Sequence, residues 1–197
     1  MKSDIILAGV GGQGILSIAA TIGMAAVDID LFLKQAEVHG MSQRGGDVQS
    51  HLRVSSKPIA SDLIPKGKAD IILSVEPMES LRYLPYLSKD GWLVTNTTPF
   101  VNITNYPEMD EVMAKIKEQP RHIAIDADAI AASVASKRSS NIVMLGAASP
   151  FIDIEFSALE EGLRKIFGRK GDAIVESNIN ALRAGRAAAE EIMASRN

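Results

Sequence analysis

The chain has 197 residues, 46% hydrophobic and 23% charged, with 21 Lys and Arg against 24 Asp and Glu for a net charge of −3. That balance excludes an intrinsically disordered chain, and it lacks the excess of cations that binding duplex nucleic acid through its phosphates requires. There is no cysteine, which excludes a disulfide framework, a thiol nucleophile and any thiolate ligand for zinc or an iron–sulfur cluster.

Met1-Lys2-Ser3-Asp4 leads straight into a short apolar strand and is no secretory signal. No apolar run approaches the ~18–20 residues of a membrane helix, so a soluble, cytoplasmic protein without a membrane partner is expected. Residues 4–8 form a compact apolar run closed by Gly9-Val10-Gly11-Gly12-Gln13-Gly14. Behind it Ile15, Ile18, Ala19, Ile22 and Ala26 recur at helical spacing, which predicts strand, tight turn and helix. Residues 31–36 predict the next strand. Residues 48–54 alternate, with Val48, Leu52 and Val54 on one face and Gln49, His51 and Arg53 on the other. That pattern predicts a half-exposed strand in a hairpin beside the main sheet.

Residues 69–75 are nearly all apolar, as in a central strand covered on both faces. Met78, Leu81 and Leu84 make a helical stripe that Pro85 ends. A strand comes next over 92–97. Pro107 with Glu108, Asp110 and Glu111 marks a helix start, with Met109, Val112, Met113 and Ile116 as its buried stripe. Residues 122–126 read as a last parallel strand, with Asp126 and Asp128 as caps of the next helix. Helices are expected over 127–135, 141–148, 155–167 and 172–194, the third lined by Phe156, Leu159, Leu163 and Ile166. Strands alternating with helices predict an α/β fold: a Rossmann-like, doubly wound, mainly parallel sheet with a helical C-terminal part, in one domain over 1–197. Tyr83, Tyr86, Trp92 and Phe100 fit core or interface, and core is expected for most of them.

Gly9-x-Gly11-x-x-Gly14 has the spacing of a dinucleotide-type turn. The first glycine allows the sharp turn, the second lets an anion approach the backbone, and the third lets helix and strand pack closely. The first N–H groups of the adjoining helix attract phosphate or carboxylate. A tight turn without a ligand has the same spacing. A site for NAD also needs an acid at the tip of the second strand; Asp28 and Asp30 fall before that strand, and Glu37 alone is roughly placed. The stretch from Glu37 to Gly46 gathers His39, Ser42, Gln43 and Arg44 between glycines, where an open sheet presents its binding loops; its bland counterpart is a polar surface loop. His39 suits a proton carrier or donor, and Arg44 a fork for carboxylate or phosphate. His39, His51 and His122 are too scattered to suggest a metal site.

Val10-Gly11-Gly12-Gln13-Gly14-Ile15, together with Glu37-Val38-His39-Gly40-Met41-Ser42-Gln43-Arg44-Gly45-Gly46, resembles the gamma-type domain of the 2-oxoacid:ferredoxin oxidoreductase family. Within that family it is most similar to the small beta subunits of the indolepyruvate members. Ser61-Asp62-Leu63-Ile64-Pro65, Ala69-Asp70-Ile71-Ile72-Leu73, Glu76-Pro77 with Glu79, Leu81-Arg82-Tyr83-Leu84 and Asn141-Ile142-Val143-Met144-Leu145-Gly146 support it, over nearly the whole chain. The glycine turn alone is shared with many nucleotide binders, whereas its combination with the string from His39 to Gly46 is specific.

The resemblance implies a heteromeric enzyme, with this chain inactive alone. A large alpha subunit would carry thiamine diphosphate with Mg and the 4Fe–4S clusters, and the holoenzyme would reduce ferredoxin. The reaction would convert an arylpyruvate and coenzyme A into an arylacetyl-CoA and carbon dioxide. The gamma-type domain is associated with coenzyme A. Gly9, Gly11, Gly12, Gln13 and Gly14, with Gln43, Gly45 and Gly46, would therefore contact a coenzyme A phosphate and wall its pocket. His39 and Arg44 would support the partner's thiamine site. Two other readings stay open: a stand-alone NAD-dependent dehydrogenase, and a scaffold that only docks the large subunit. Whether the isolated chain forms a homodimer is open as well.

Overall fold

The computed structural model describes residues 1–39, 45–101 and 103–196, and of His39 the backbone alone. In chain order the elements are β1 (Lys2–Val10), α1 (Ile15–Asp28), β2 (Phe32–His39), β3 (Asp47–Ser55), β4 (Ala69–Ser74), α2 (Pro77–Arg82), β5 (Leu87–Asn96), α3 (Met109–Lys117), β6 (His122–Ile125), α4 (Ala127–Val134), α5 (Ser140–Ala148), α6 (Phe156–Phe167) and α7 (Asp172–Ala194). The six strands form one sheet in the order β2-β3-β1-β4-β5-β6. The strands β1, β4, β5 and β6 run parallel, while β3 is antiparallel to both β1 and β2. The expected α/β sheet with a helical C-terminal part is what the chain builds.

Helices cover both faces. One core cluster packs Ile5, Leu7, Leu52, Ile71, Leu73 and Val94 beneath α1 and α4 to α7. A smaller one packs Ile6, Ile64, Ile72, Leu93, Val112 and Ile116 beneath α2 and α3. The most enclosed helix is α5, buried from Asn141 to Ala148. It lies against α7 so closely that a Cβ on Gly185 would sit 1.9 Å from the carbonyl oxygen of Val143, and one on Gly146 2.0 Å from that of Leu182. No described helix is long and apolar enough to cross a membrane.

The strand expected to lie half exposed beside the sheet is instead inside it. β3 sits between β1 and β2, and its polar face is covered because residues 56–64 fold back over it. His51 is buried there: its Nδ1 accepts from the Ile64 N–H at 3.0 Å, and its ring meets Tyr86 edge-on at 5.3 Å. Arg53 is clamped to Asp4 by Nε at 2.7 Å and Nη2 at 3.0 Å, and its Nη1 donates to the carbonyls of Ser61 and Leu63. Helix α2 differs as well. Its buried residues are Pro77, Glu79 and Ser80, whereas Met78 and Leu81 of the expected apolar stripe lie in a groove against α3. Of the aromatics, Tyr83 is core, Trp92 stacks on Phe151 at 4.1 Å, and Phe100 is exposed.

Candidate functional site

The glycine turn holds itself in shape. The Gly11 N–H donates to the Gly46 carbonyl at 2.8 Å, so the turn after β1 is tied to the start of β3. The Val10 N–H donates to Gln13 Oε1 at 2.8 Å, and Gln13 Nε2 donates to the Val75 carbonyl at 3.4 Å. Gln13 thus braces the turn against β4, and the Gly11 N–H is already occupied. Gly14, at φ 82°, is the N-cap of α1; a Cβ there would lie 2.5 Å from Asn141 Nδ2, which donates to the Gly14 carbonyl at 3.0 Å. Gly9 is buried against Val75. The start of α1 has no side-chain cap and no acid in its first turn, leaving its partial positive charge uncompensated.

Two cavities share this turn. The larger, about 540 Å³, lies between Gly12, Gln13, Gly14 and Ser17 on one side and the segments preceding α5 and α7 on the other. It is lined by Arg138, Lys170 and the hydroxyls of Ser136, Ser139 and Ser177, and no Asp or Glu is among its lining residues. Both cations sit on short turns rich in basic residues, Lys137–Ser139 and Gly168–Lys170. Among the described residues neither makes an ion pair. An anion entering here meets two cations, hydroxyl donors and a helix N-terminus together. Sequence reading missed Arg138 and Lys170. The signal was present as Lys137-Arg138 and Arg169-Lys170 between small residues, yet 32 residues separate the two cations until α5 and α7 pack.

The smaller cavity, about 330 Å³, lies on the other side of the turn and is lined by Val10, Gly11, Gly12, Gly14, Ile15, Leu16, Glu37 and Val48. Glu37 accepts from Gln35 Nε2 at 3.1 Å. Of the predicted site residues, Gly11, Gly12, Gln13 and Gly14 are therefore brought together, and Gly45 and Gly46 lead from the second loop into β3. Gln43 and Arg44 lie outside the described residues, as does the side chain of His39. The glycine turn and the second loop succeed β1 and β2 at the same end of the sheet, but those strands are not neighbours, because β3 runs between them.

A buried carboxylate orders the same end of the sheet. Glu76, just past β4, accepts from the Glu79 N–H at 2.8 Å, the Phe100 N–H at 3.2 Å and the Tyr106 hydroxyl at 2.5 Å. It caps α2 and fastens the connection between β5 and α3. Burial and the Glu76 carboxylate hold the Tyr106 hydroxyl well above its ordinary range. Burial raises the Glu79 carboxyl, partly offset by its pairing with Arg82. Asp126 caps α4 through the Ala129 N–H at 2.9 Å, and Asp128 accepts from Asn96 at 2.9 Å, which accounts for both as structural. Among the described residues no group of three or more His, Asp or Glu could hold a metal ion.

The family description "Pyruvate ferredoxin/flavodoxin oxidoreductase" matches residues 4–188. The chain belongs to that family. Among its relatives is the indolepyruvate oxidoreductase subunit IorB of Archaeoglobus fulgidus, 34% identical over 94% of both chains. The IorB subunit of Thermococcus kodakarensis is 36% identical over 96% of this chain and 97% of its own. Two solved structures share the fold. A 2-oxoglutarate:ferredoxin oxidoreductase from Magnetococcus marinus, with 2-oxoglutarate, coenzyme A and succinyl-CoA bound, superposes with a TM-score of 0.76 at 24% identity. The match covers 96% of this chain but only 31% of that longer one. The pyruvate oxidoreductase subunit PORC from Thermotoga maritima gives 0.71 at 21% identity, over 93% of this chain and 94% of its own.

Proposed function

We propose that this chain is the small subunit of a heteromeric, cytoplasmic arylpyruvate:ferredoxin oxidoreductase, and that its basic cavity holds the phosphates of coenzyme A. The observation that carries the ligand is the cavity's composition: Arg138, Lys170, serine hydroxyls and the α1 N-terminus around a space free of acids. Substrate class comes from likeness to the IorB subunits over nearly the full chain. Coenzyme A supplies the thiol that accepts the acyl group; this chain's part is to fix the cofactor's anionic end so that the thiol arm points toward the partner. Gly12 and Gly14 keep the backbone low beside that space, and Gln13 keeps the turn rigid. Without cysteine this chain has no thiolate for an iron–sulfur cluster, and we assign the 4Fe–4S clusters, with thiamine diphosphate and Mg, to the large subunit. His39, Gln43 and Arg44 are assigned to the face toward that subunit.

Reconstitution tests this reading. The purified chain alone is expected to be colourless and inert toward indolepyruvate, and addition of the large subunit should restore coenzyme A-dependent reduction of ferredoxin. Turnover by the lone chain would contradict it. One observation favours a second reading. Glu37 lines the smaller cavity beside Gly11, Gly12 and Gly14, as an acid that binds a nucleotide ribose does. A thermal shift with NAD(H) at 100 times an assumed Kd, worth about 2.7 kcal/mol, would support a dinucleotide there.

A further inference from the structure

The two edges of the sheet are finished differently. At one edge β6 is four residues long, and the Arg196 guanidinium donates to the His122 carbonyl and meets its ring nitrogen. At the other, β2 runs for eight residues in unbroken register with β3 and, among the described residues, pairs with no strand on its outer side. It has no proline and no bulge, and its only formal charges are Lys34 and Glu37. Natural sheets normally protect such an edge by shortness, charge, proline or a bulge.

The helix above that edge is equally unprotected. In α1 the residues Leu16, Ala20, Gly23 and Val27 fall at i, i+4, i+7 and i+11, one stripe of the helix surface. Gly23 at its floor abuts Leu33 of β2, so the stripe is turned toward the β2 edge. Leu16 and Val27 are 57% and 58% exposed, and no charged residue precedes Asp28 in the helix. On the opposite face of the sheet, Phe32 and Val38 of β2 are 47% and 59% exposed.

We propose that the β2 edge and the outer stripe of α1 form a two-fold interface with a second copy of this chain, joining two sheets into one. The occupant is argued from self-complementarity. A two-fold axis normal to the sheet through Gln35 sets Gln35 against its copy. It then places Phe32 opposite Val38 of the second copy, and Lys34 opposite Ala36. The exposed apolar residues pair, and no like charges meet. The same axis serves the helix. Gln35 lies about 10 Å into β2, and the centre of the α1 stripe lies about 9–10 Å before the helix end, so both are at one level. There Leu16 meets Val27 of the second copy across the small pair Ala20 and Gly23. An edge of about 26 Å with helix and sheet layers about 20 Å deep offers on the order of 500 Å² per copy, about 1,000 Å² in total, the size of a weak, reversible dimer rather than an obligate one.

The absence of cysteine makes the test clean. Sedimentation of the full chain is expected to give twice its 21.1 kDa. Gln35→Cys should form a disulfide-linked dimer under mild oxidation, whereas Lys117→Cys on α3 should not. Leu16→Asp, a change on the surface, should raise the dimer dissociation constant at least tenfold with an unchanged circular dichroism spectrum. A monomer would overturn the proposal and leave this edge to the large subunit. A dimer that Gln35→Cys does not cross-link and Leu16→Asp does not weaken would overturn it too.

Discussion

The two ends of the sheet treat arginine in opposite ways. At the amino end of β1, Arg53 is spent: its donors meet both oxygens of Asp4 and two carbonyls, and Lys2 joins Asp4 at 2.9 Å. At the carboxyl end, Arg138 and Lys170 line one cavity with no acid among its lining residues, Lys170 lying over the Phe167 ring at 5.1 Å. A satisfied, half-buried cation holds the fold together. A cation held in a concave site without a protein anion is set for an anion from outside. Under the proposed function the same sheet puts stability at one end and ligand chemistry at the other, as open α/β sheets do when they bind beyond the carboxyl ends of their strands.

The largest effect that would sharpen this contrast is at the amino end. Asp4→Asn leaves Arg53 without its carboxylate and is expected to destabilise the chain by about 3 kcal/mol in urea unfolding. The KM of the assembled enzyme for coenzyme A should stay within a factor of two. Gly14→Ala acts at the other end, through a Cβ 2.5 Å from Asn141 at a positive φ. It should cost about 2–3 kcal/mol and raise the coenzyme A KM as well, because the wall shared by both cavities shifts. At Gly12, with φ 102° and nothing within 4 Å of an added Cβ, alanine carries only the backbone penalty of about 1 kcal/mol. If Gly12→Ala proved as damaging to stability as Gly14→Ala, the packing account of the turn would fail.

The smallest effect is a slope with pH. His51 is held below its ordinary range, first by burial and then by Arg53. Burial opposes the charge on Asp4, but Arg53 and Lys2 outweigh it and hold its carboxyl below the ordinary value. Both groups release protons more readily folded than unfolded, so each stabilises fully above its unfolded pKa and less as pH falls through the folded one. Urea unfolding should therefore show stability declining from about pH 6.5 for His51, then again below about pH 4 for Asp4. Protonation of His51 Nδ1 also removes the acceptor for the Ile64 N–H, so hydrogen exchange there should quicken first.

Much of this was legible in the residues. The strand, glycine turn and α1 come from an apolar run, three glycines and a helical period. Helices α4 to α7 come from periodicity and from breaks at small residues, and their bounds fall within a residue or two of expectation. The features that escaped depended on contacts distant in sequence. His51 and Arg53 alternate like solvent-facing residues, and only the return of residues 56–64 makes that face interior. Gln13 reads as a ligand contact, although its amide completes the turn. Nothing in the sequence marks Glu76 and Glu79 as buried, which becomes possible only because two backbone N–H groups, Tyr106 and Arg82 satisfy them. Arg138 and Lys170 become a pair only through packing of α5 against α7.

The most direct test is the coenzyme A dependence of the reconstituted enzyme carrying Arg138→Ala and Lys170→Ala together. Loss of two charge-assisted contacts of about 1.5 kcal/mol each predicts a KM for coenzyme A raised on the order of a hundredfold, with kcat at saturation and the KM for arylpyruvate unchanged. An unaltered coenzyme A KM in a folded, assembled variant would contradict the assignment of the basic cavity.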